Sequence, residues 1–367
     1  MDKRLLRNFD YTLLFSALAI VAFGCIMIYS AAKGGEIGRA YVERQLAAAL
    51  IGAILAIVVA SVDTGIVHRI SGRLYGFSLL VLIILLFTGD TSKGAQRWIG
   101  YGAFRIQPSE FVKVILIVAL AVFVVQRLEK IRTPQVFVLS FLYMLAPILL
   151  IFKQPDLGTS LALFAIWLFM MFVMGTNLKN VLMFLAICAV SVVVVFHVHG
   201  VLKDYQKNRL ISFVDPAADP QGSGYHVRQS RIAIGSGQFV GKGYLQGTQS
   251  KLRFIPEQHT DFIFTVVGEE LGFVGSAVLV GLYLILIMRG MYIMSVTEDA
   301  LARAIAAGIL GMFVFHILIN VGMTLGIMPV TGVPLPMFSY GGSSLVANLV
   351  AIGLLEGISM RRHRIVF

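Results

Sequence analysis

Long apolar stretches alternate with short polar connections along almost the whole chain. A stretch of about 20 apolar residues is long enough to cross the hydrocarbon layer of a bilayer as an α-helix. Ten stretches of roughly this length cover residues 11–32, 45–62, 72–88, 108–126, 135–152, 159–174, 181–199, 262–288, 303–321 and 341–358. The pattern predicts an all-α, polytopic integral membrane protein with ten transmembrane helices.

The composition excludes a soluble domain. Hydrophobic residues make up 58% of the chain and charged residues only 13%, whereas soluble domains are about half apolar and about one quarter charged. Cys25 and Cys188 both lie inside apolar stretches, where a free cysteine behaves as a small hydrophobe, so neither a disulfide nor a metal cluster is predicted.

The net charge of +11 does not point to nucleic acid. Lys and Arg are scattered singly through short loops, and no basic helix face is interleaved with aromatic residues. The positive balance is better explained by membrane topology together with an anionic, membrane-borne substrate.

Lys and Arg also predict the orientation. Alternate connections between the apolar stretches carry fourteen of these residues on one side and seven in the short loops of the other. The positive-inside rule therefore places both termini in the cytoplasm. The first stretch is expected to be a retained helix rather than a signal peptide, because no small-residue cleavage site follows it. Residues 200–261, here called the long connection, are then extracytoplasmic.

The polar motifs gather on the side predicted to face outwards. They are QRW at 96–98, RIQPSEFVK at 105–113, KQPDLGTS at 153–160, the long connection, and PVTGVPLPMFSYGGSS at 329–344. The cytoplasmic connections are short and basic with little else. Any chemistry is therefore expected at the outer face.

Ionisable residues within apolar stretches are costly and each requires an explanation. Glu110 and Lys113 share a helix face and form either a structural ion pair or the polar wall of a cavity in which Lys113 meets an anion. Asp156 precedes a helix and is suited to cap it.

Two further pairs of polar residues lie in the last apolar stretches. Glu269 and Glu270 are adjacent, so they are not expected to face one partner. His316 and Asn320 are four residues apart and are more typical of interhelical hydrogen bonding than of ligand binding.

The long connection has two distinctive parts. Residues 204–216 form an amphipathic stretch suited to the membrane interface. The glycine-rich part that follows is by default a flexible loop, but its basic residues could also form a cationic lid over a phosphate. These residues are Arg228, Arg231, Lys242, Lys251 and Arg253.

Six motifs together resemble the SEDS membrane glycosyltransferases, the family that contains RodA, FtsW and SpoVE. They are GAQRWI (94–99), QPSEFVK (107–113), QPDLGTS (154–160), RIAIGSGQFVGKGYLQGTQS (231–250), PEQHTDFIFTVVGEELGFVG (256–275) and LPMFSYGGSS (335–344). The resemblance extends over essentially all of residues 1–367 as a single membrane domain. DYQKNR, FVDPAADPQGSGYHVRQS and TGVPLP are more similar to the RodA branch than to the division branch. One departure is Gln238, where related sequences often have a third glycine.

The resemblance implies polymerisation of lipid II into peptidoglycan glycan strands, for cell elongation and rod shape, at the outer face of the cytoplasmic (inner) membrane. It also implies a partner, a class B penicillin-binding protein with transpeptidase activity, and other elongation-complex proteins. No nucleotide is expected, because the lipid pyrophosphate activates the sugar donor.

The resemblance further implies that Asp261 is the essential carboxylate, and we assign it as the general base. Asp261 could instead hold a divalent cation, Mg or Mn, on the pyrophosphate, or simply cap the helix that follows it. The expected substrate-binding residues are Glu110, Lys113, Asp156, Arg209, Arg231, Lys242, Arg253, His259 and Ser343. Among them Lys113 and the Arg and Lys residues of the long connection would stabilise the pyrophosphate, with Glu110 orienting Lys113.

Two functions of other classes remain open from the residues alone. A lipid II flippase would move the substrate without polymerising it, but inverted repeats and interrupted helices at mid-membrane are not visible. A non-catalytic scaffold of the cell-wall synthesis complex would have no need of Asp261, Glu110 and Lys113 near one surface.

Overall fold

The computed structural model describes residues 8–88, 90–92, 95–100, 106–197, 222–251 and 257–361. The amphipathic stretch 204–216, with Arg209, lies outside these residues, as does Arg253. The helices are α1 Tyr11–Ala31, α2 Gly35–Ala60, α3 Thr64–Thr88, α4 Pro108–Val125, α5 Pro134–Lys153, α6 Leu157–Val173, α7 Leu178–His197, α8 Ser223–Gly237, α9 Thr248–Lys251, α10 Ile263–Glu270, α11 Gly272–Val296, α12 Ala300–Leu325 and α13 Gly342–Arg361.

The prediction of a polytopic helical membrane protein is confirmed. Among the described residues, eight helices are long and apolar enough to cross a membrane, namely α1 to α5, α11, α12 and α13. The predicted stretches 159–174 and 181–199 correspond to α6 and α7, whose described apolar parts are shorter. The count of ten crossings therefore stays a prediction.

Some predicted boundaries were wrong. The stretch 262–288 is not one helix, because α10 ends at Glu270 and α11 begins at Gly272, which has a φ of +64°. Helices α2 and α3 begin eight to ten residues before the predicted starts at 45 and 72, because polar first turns lower the hydropathy without preventing helix formation. A short hairpin, β1 Asp90–Ser92 with β2 Ala95–Trp98, was not predicted at all.

Local sequence signals define several helix starts. Pro108 and Pro134 stand in the first turns of α4 and α5, where the missing proline N–H costs nothing. The side chains of Asp10 and Asp299 accept hydrogen bonds from first-turn amides of α1 and α12. These caps satisfy donors that would otherwise be unpaired.

The protein interior is centred on α4, α12 and α13, which are mostly buried, whereas α2 and α11 expose much of their apolar surface. Close helix approach relies on small residues, as is usual in membranes. For example, a Cβ on Gly353 of α13 would lie 2.4 Å from the carbonyl oxygen of Ala56 in α2.

A non-helical segment, residues 326–341, joins α12 to α13 and is called the buried segment below. Val333, Leu335 and Phe338 are at most 3% exposed. Irregular backbone at membrane depth requires partners inside the protein. The Asn320 amide donates to the Val333 carbonyl at 2.7 Å, and the Tyr283 hydroxyl donates to the Pro336 carbonyl at 2.7 Å. The polar side chains of the helices thus hold this segment in place.

Candidate active site

Asp261 lies in a turn immediately before α10 and beside the buried segment. Its side chain is half-buried, and a Cβ built on Gly332 would lie 3.3 Å from Asp261 Oδ2. The Asp261 carbonyl accepts a hydrogen bond of 2.8 Å from Asn320 Nδ2. Phe262 rather than Asp261 occupies the N-cap position of α10. Asp261 thus lies one residue before the position at which a capping side chain was expected.

The residues preceding Asp261 are held from two sides. The Gln258 amide donates to the Ala31 carbonyl at the end of α1, at 2.7 Å. On the opposite side, the Ser339 hydroxyl donates to the Thr260 carbonyl at 2.6 Å. Glu257 has a φ of +54°, a strained value for a residue with a side chain. These contacts leave the Asp261 backbone little freedom.

His259 belongs to an aromatic cluster. Its ring centroid lies 5.0 Å from that of Tyr41 and 5.6 Å from that of Tyr340, and its carbonyl accepts from the Tyr340 amide at 2.9 Å. Such ring pairs stabilise a fixed arrangement. The structure therefore gives His259 a packing role two residues before Asp261.

Glu110 and Lys113 form the ion pair that their spacing predicted. Lys113 Nζ lies 3.0 Å from Glu110 Oε1 and 3.3 Å from His316 Nε2 of α12. All three residues are at most 4% exposed. A buried lysine requires this kind of pairing. His316 makes the interhelical contact that the sequence indicated, whereas Asn320 donates to carbonyls of non-helical residues, Asp261 and Val333.

Helix α12 connects this ion pair to Asp261. His316 and Asn320 lie one turn apart on the same helix face, so one contacts Lys113 while the other contacts the Asp261 carbonyl. Asn320 also holds the buried segment through Val333. The structure thus brings Glu110, Lys113 and Asp261 to one end of the bundle.

Asp156 caps α6 as predicted and has a second contact. Its Oδ1 accepts from the Thr159 amide at 3.1 Å, and its Oδ2 accepts from Gln107 Nε2 at 3.4 Å. The backbone N–H of Gln107 donates to the Ser343 hydroxyl oxygen at 3.0 Å. Gln107 was not singled out from the sequence, although it begins the QPSEFVK motif. It joins Asp156 and Ser343 across three helices.

The glycine-rich part of the long connection is more ordered than a flexible loop. Residues Ser223–Gly237 form α8, which packs closely on α10: a Cβ on Gly237 would lie 1.9 Å from the Gly268 carbonyl oxygen. The expectation of a flexible loop was therefore wrong for these residues. Gly237 and Gly241 allow this close backbone contact, since a Cβ on Gly241 would lie 2.1 Å from the Glu270 carbonyl oxygen.

Glu269 and Glu270 have different partner residues, as their adjacent positions predicted, but these partners lie largely in one segment. Glu269 accepts from Lys242 Nζ at 3.0 Å and from the Gln249 amide at 2.8 Å. Glu270 accepts from the Leu245 amide at 3.1 Å and from the Ser30 hydroxyl. Both adjacent carboxylates therefore bind the same segment, residues 242–249, because this segment curves around the end of α10.

The predicted cations divide into two groups. Lys242 is neutralised by Glu269. Arg231 on α8 is exposed, and its aliphatic stem lies beside Gly326, where a Cβ would meet Arg231 Cδ at 3.1 Å. Arg228, one turn earlier, is also exposed. These two arginines lie near the start of the buried segment, whereas the side chain of Lys251 is outside the described part of the structure.

The donors for a divalent cation are few. Within the described residues, no group of three His, Cys, Asp or Glu side chains is placed to hold a metal ion. Mg²⁺ is commonly bound through one or two carboxylates together with substrate phosphates. The Asp261 carboxylate fits this kind of site, in which the substrate phosphates supply the remaining oxygens.

The chain is similar to known proteins along nearly its whole length. The chain is 38% identical over 360 residues to the peptidoglycan glycosyltransferase MrdB of Escherichia coli K12, covering 97% of this chain and 94% of that protein. The crystal structure of Thermus thermophilus rod shape determining protein RodA superposes with a TM-score of 0.71 at 30% identity, covering 97% of this chain and 98% of that one.

A second solved structure is described as the structural coordination of polymerization and crosslinking by a peptidoglycan synthase complex. One of its chains matches with a TM-score of 0.81 at 32% identity, covering 97% of this chain and 99% of that chain. The sequence pattern of the cell cycle protein family FtsW/RodA/SpoVE matches residues 11–364. The chain therefore belongs to the FtsW/RodA/SpoVE family, the SEDS family that its motifs resemble.

Proposed function

We propose that this protein is a peptidoglycan glycosyltransferase that polymerises lipid II into glycan strands. Its relative MrdB is named for this activity. The observation that carries the proposal is the half-buried Asp261, held at one end of the bundle by contacts from α1, α12 and the buried segment. A carboxylate placed in this way is suited to act on the head of a lipid.

Asp261 would act as the general base. The acceptor sugar's hydroxyl oxygen forms a bond to the anomeric carbon of the donor while the bond from that carbon to the pyrophosphate oxygen breaks. The hydroxyl proton passes to Asp261, and the electron pair leaves with the lipid pyrophosphate.

The leaving pyrophosphate requires positive charge. Arg231 and Arg228 are the described basic residues of the long connection that are exposed, and we assign them to meet the pyrophosphate of the lipid. Lys113 is 2% exposed and paired with Glu110. We therefore assign the Lys113–Glu110 ion pair to the polar wall of the site rather than to direct contact with the pyrophosphate. Arg209 and Arg253 remain further candidates from the sequence.

A divalent cation, Mg or Mn, is the alternative partner of Asp261. Bound to the pyrophosphate, it would supply the charge that stabilises the leaving group. To separate the two roles, the pH profile and the cation dependence of Asp261→Glu are compared with wild type. A shifted pH optimum with an unchanged cation requirement supports the base, and an altered cation requirement supports the ligand.

The setting proposed for the reaction is the outer face of the cytoplasmic membrane, with both termini in the cytoplasm and the long connection outside. This rests on the Lys and Arg distribution. A class B penicillin-binding protein is the proposed partner, working with other elongation-complex proteins. The similarity to a chain from a peptidoglycan synthase complex supports such a partner.

The decisive experiment supplies purified protein and its partner transpeptidase with labelled lipid II and a divalent cation. Wild type is expected to form polymer, and Asp261→Asn to form at least about 100-fold less, the size of a general-base contribution. Asp299→Asn is the matched control, since Asn also caps helices well. Full-rate polymerisation by Asp261→Asn would disprove the assignment, and lipid II movement across the bilayer without polymer would favour a flippase.

A further inference from the structure

The turn that follows α8 exposes an unusually apolar tip. Residues 238–240 form this turn, and Phe239 and Val240 are 67% and 75% exposed. Phe273, in the first turn of the membrane-spanning helix α11, is 61% exposed, and its ring centroid lies 5.4 Å from that of Phe239. The tip therefore continues the apolar surface that α11 presents to lipid.

Backbone hydrogen bonds fix the tip to the first turn of α11. The Phe273 amide donates to the Gln238 carbonyl at 2.9 Å, and the Val274 amide donates to the Phe239 carbonyl at 3.1 Å. The first amides of a helix have no partner within the helix, and in lipid they must find one in the protein. The tip supplies that partner and so lies at the depth of this turn.

The length of α11 gives the depth of the tip in the hydrocarbon layer. At its other end, Arg289 pairs with Asp10 at 2.5 Å, and the Arg289 side chain is 34% exposed. Because the Arg289 side chain is partly exposed, this charged pair is expected at the edge of the hydrocarbon. Phe273 precedes Arg289 by sixteen residues, or about 24 Å of helix, which is less than the hydrocarbon thickness of about 30 Å. Phe273 therefore lies about 6 Å or more inside the opposite edge.

Helix α1 gives the same answer when it is measured from the same Asp10–Arg289 pair. Ile26 follows Asp10 by sixteen residues, again about 24 Å, and its carbonyl accepts a hydrogen bond of 3.1 Å from the Tyr244 hydroxyl. Ser30, about one turn further, contacts the polar Glu270. Two helices thus place residues 238–244 at the same level, just inside the hydrocarbon edge on the Asp261 side.

We propose that residues 238–240 insert into the bilayer, with Phe239 and Val240 among the acyl chains of the leaflet on the Asp261 side. The connection between α7 and α11 is then anchored in lipid at its midpoint rather than being wholly aqueous. Since segment 242–249 follows the tip and is held by Glu269 and Glu270, the anchor also fixes the position of α10 relative to the membrane surface.

The test is fluorescence quenching of Phe239→Trp in nanodiscs whose lipids carry bromine on the acyl chains. Gln246→Trp, at an exposed position of the same connection, is the matched control. The wild-type signal from Trp98 and Trp167 is subtracted. We expect acyl-chain bromine to quench residue 239 several-fold more than residue 246, and aqueous iodide to show the reverse order.

Each other outcome counts against the proposal. If iodide quenches both positions equally, the tip is in water. If neither bromine nor iodide reaches residue 239 while both reagents act on the control as expected, protein covers the tip. Matching thermal unfolding of both variants and wild type establishes that each result describes the folded chain.

Discussion

The Lys242–Glu269 pair leads to an asymmetric prediction about stability. Glu269 has a fully buried side chain, whereas that of Lys242 is 26% exposed. Lys242→Met leaves a buried carboxylate without its counter-charge. Removal of one partner of a buried ion pair lowers the free energy of unfolding by about 3–5 kcal/mol. Glu269→Gln leaves Lys242, which can reach water, and the new side chain keeps one acceptor oxygen. The free energy of unfolding is therefore expected to fall by only about 1–3 kcal/mol.

The free energy of unfolding in mixed detergent micelles measures both changes, provided that the transition is two-state. The double variant should be more stable than the two separate losses imply, by about 1–2 kcal/mol, because the groups contact each other. Lys179→Met, at an exposed position, controls for the loss of a lysine as such and is expected to cost less than about 0.5 kcal/mol.

Two results would refute this reasoning. The first is a loss for Glu269→Gln that equals or exceeds the loss for Lys242→Met, since the buried charge would then not decide the cost. The second is strict additivity in the double variant, which would mean that the 3.0 Å contact contributes no coupling.

Two further predictions concern the backbone at the tip and the partner of Lys113. Gln238 has a φ of +49° and a ψ of −133°, a conformation that costs a residue with a side chain about 1–3 kcal/mol; Gln238→Gly should raise the melting temperature, and an unchanged or lower value would contradict the strain. The glutamine of His316→Gln still offers Lys113 a hydrogen-bond acceptor. Water cannot take the place of this acceptor, because Lys113 is only 2% exposed. His316→Gln should therefore polymerise within a few-fold of wild type, whereas His316→Leu should be at least about tenfold slower. Equal rates for the two His316 variants would show that the contact is dispensable.

Sequence patterns were most informative where physics acts locally. Apolar length indicated the helices, Asp156 and Pro108 marked helix starts, and the spacing of Glu110 and Lys113 indicated their ion pair. These features depend on neighbours within a few residues, so the chain itself encodes them. The break between α10 and α11 escaped notice because apolar residues lie on both sides of it.

Contacts between residues far apart in the sequence could not be predicted from local sequence patterns. Gln107 gave no signal that it would join Asp156 to Ser343, and Glu270 gave none that it would hold the Leu245 amide. Both contacts join residues far apart in sequence, and their partners are chosen by the packing of helices rather than by spacing along the chain.

The amino-acid sequence by itself determined that this is a helical membrane protein, which family it resembles and which carboxylate is the candidate catalyst, because hydropathy and motifs are properties of contiguous residues. Only the tertiary structure decided that α12 connects Lys113 to the Asp261 backbone. It alone also decided that the glycine-rich part packs on α10 and places Phe239 beside Phe273. The physical reason is that buried polar groups must find partners wherever the folded bundle provides them.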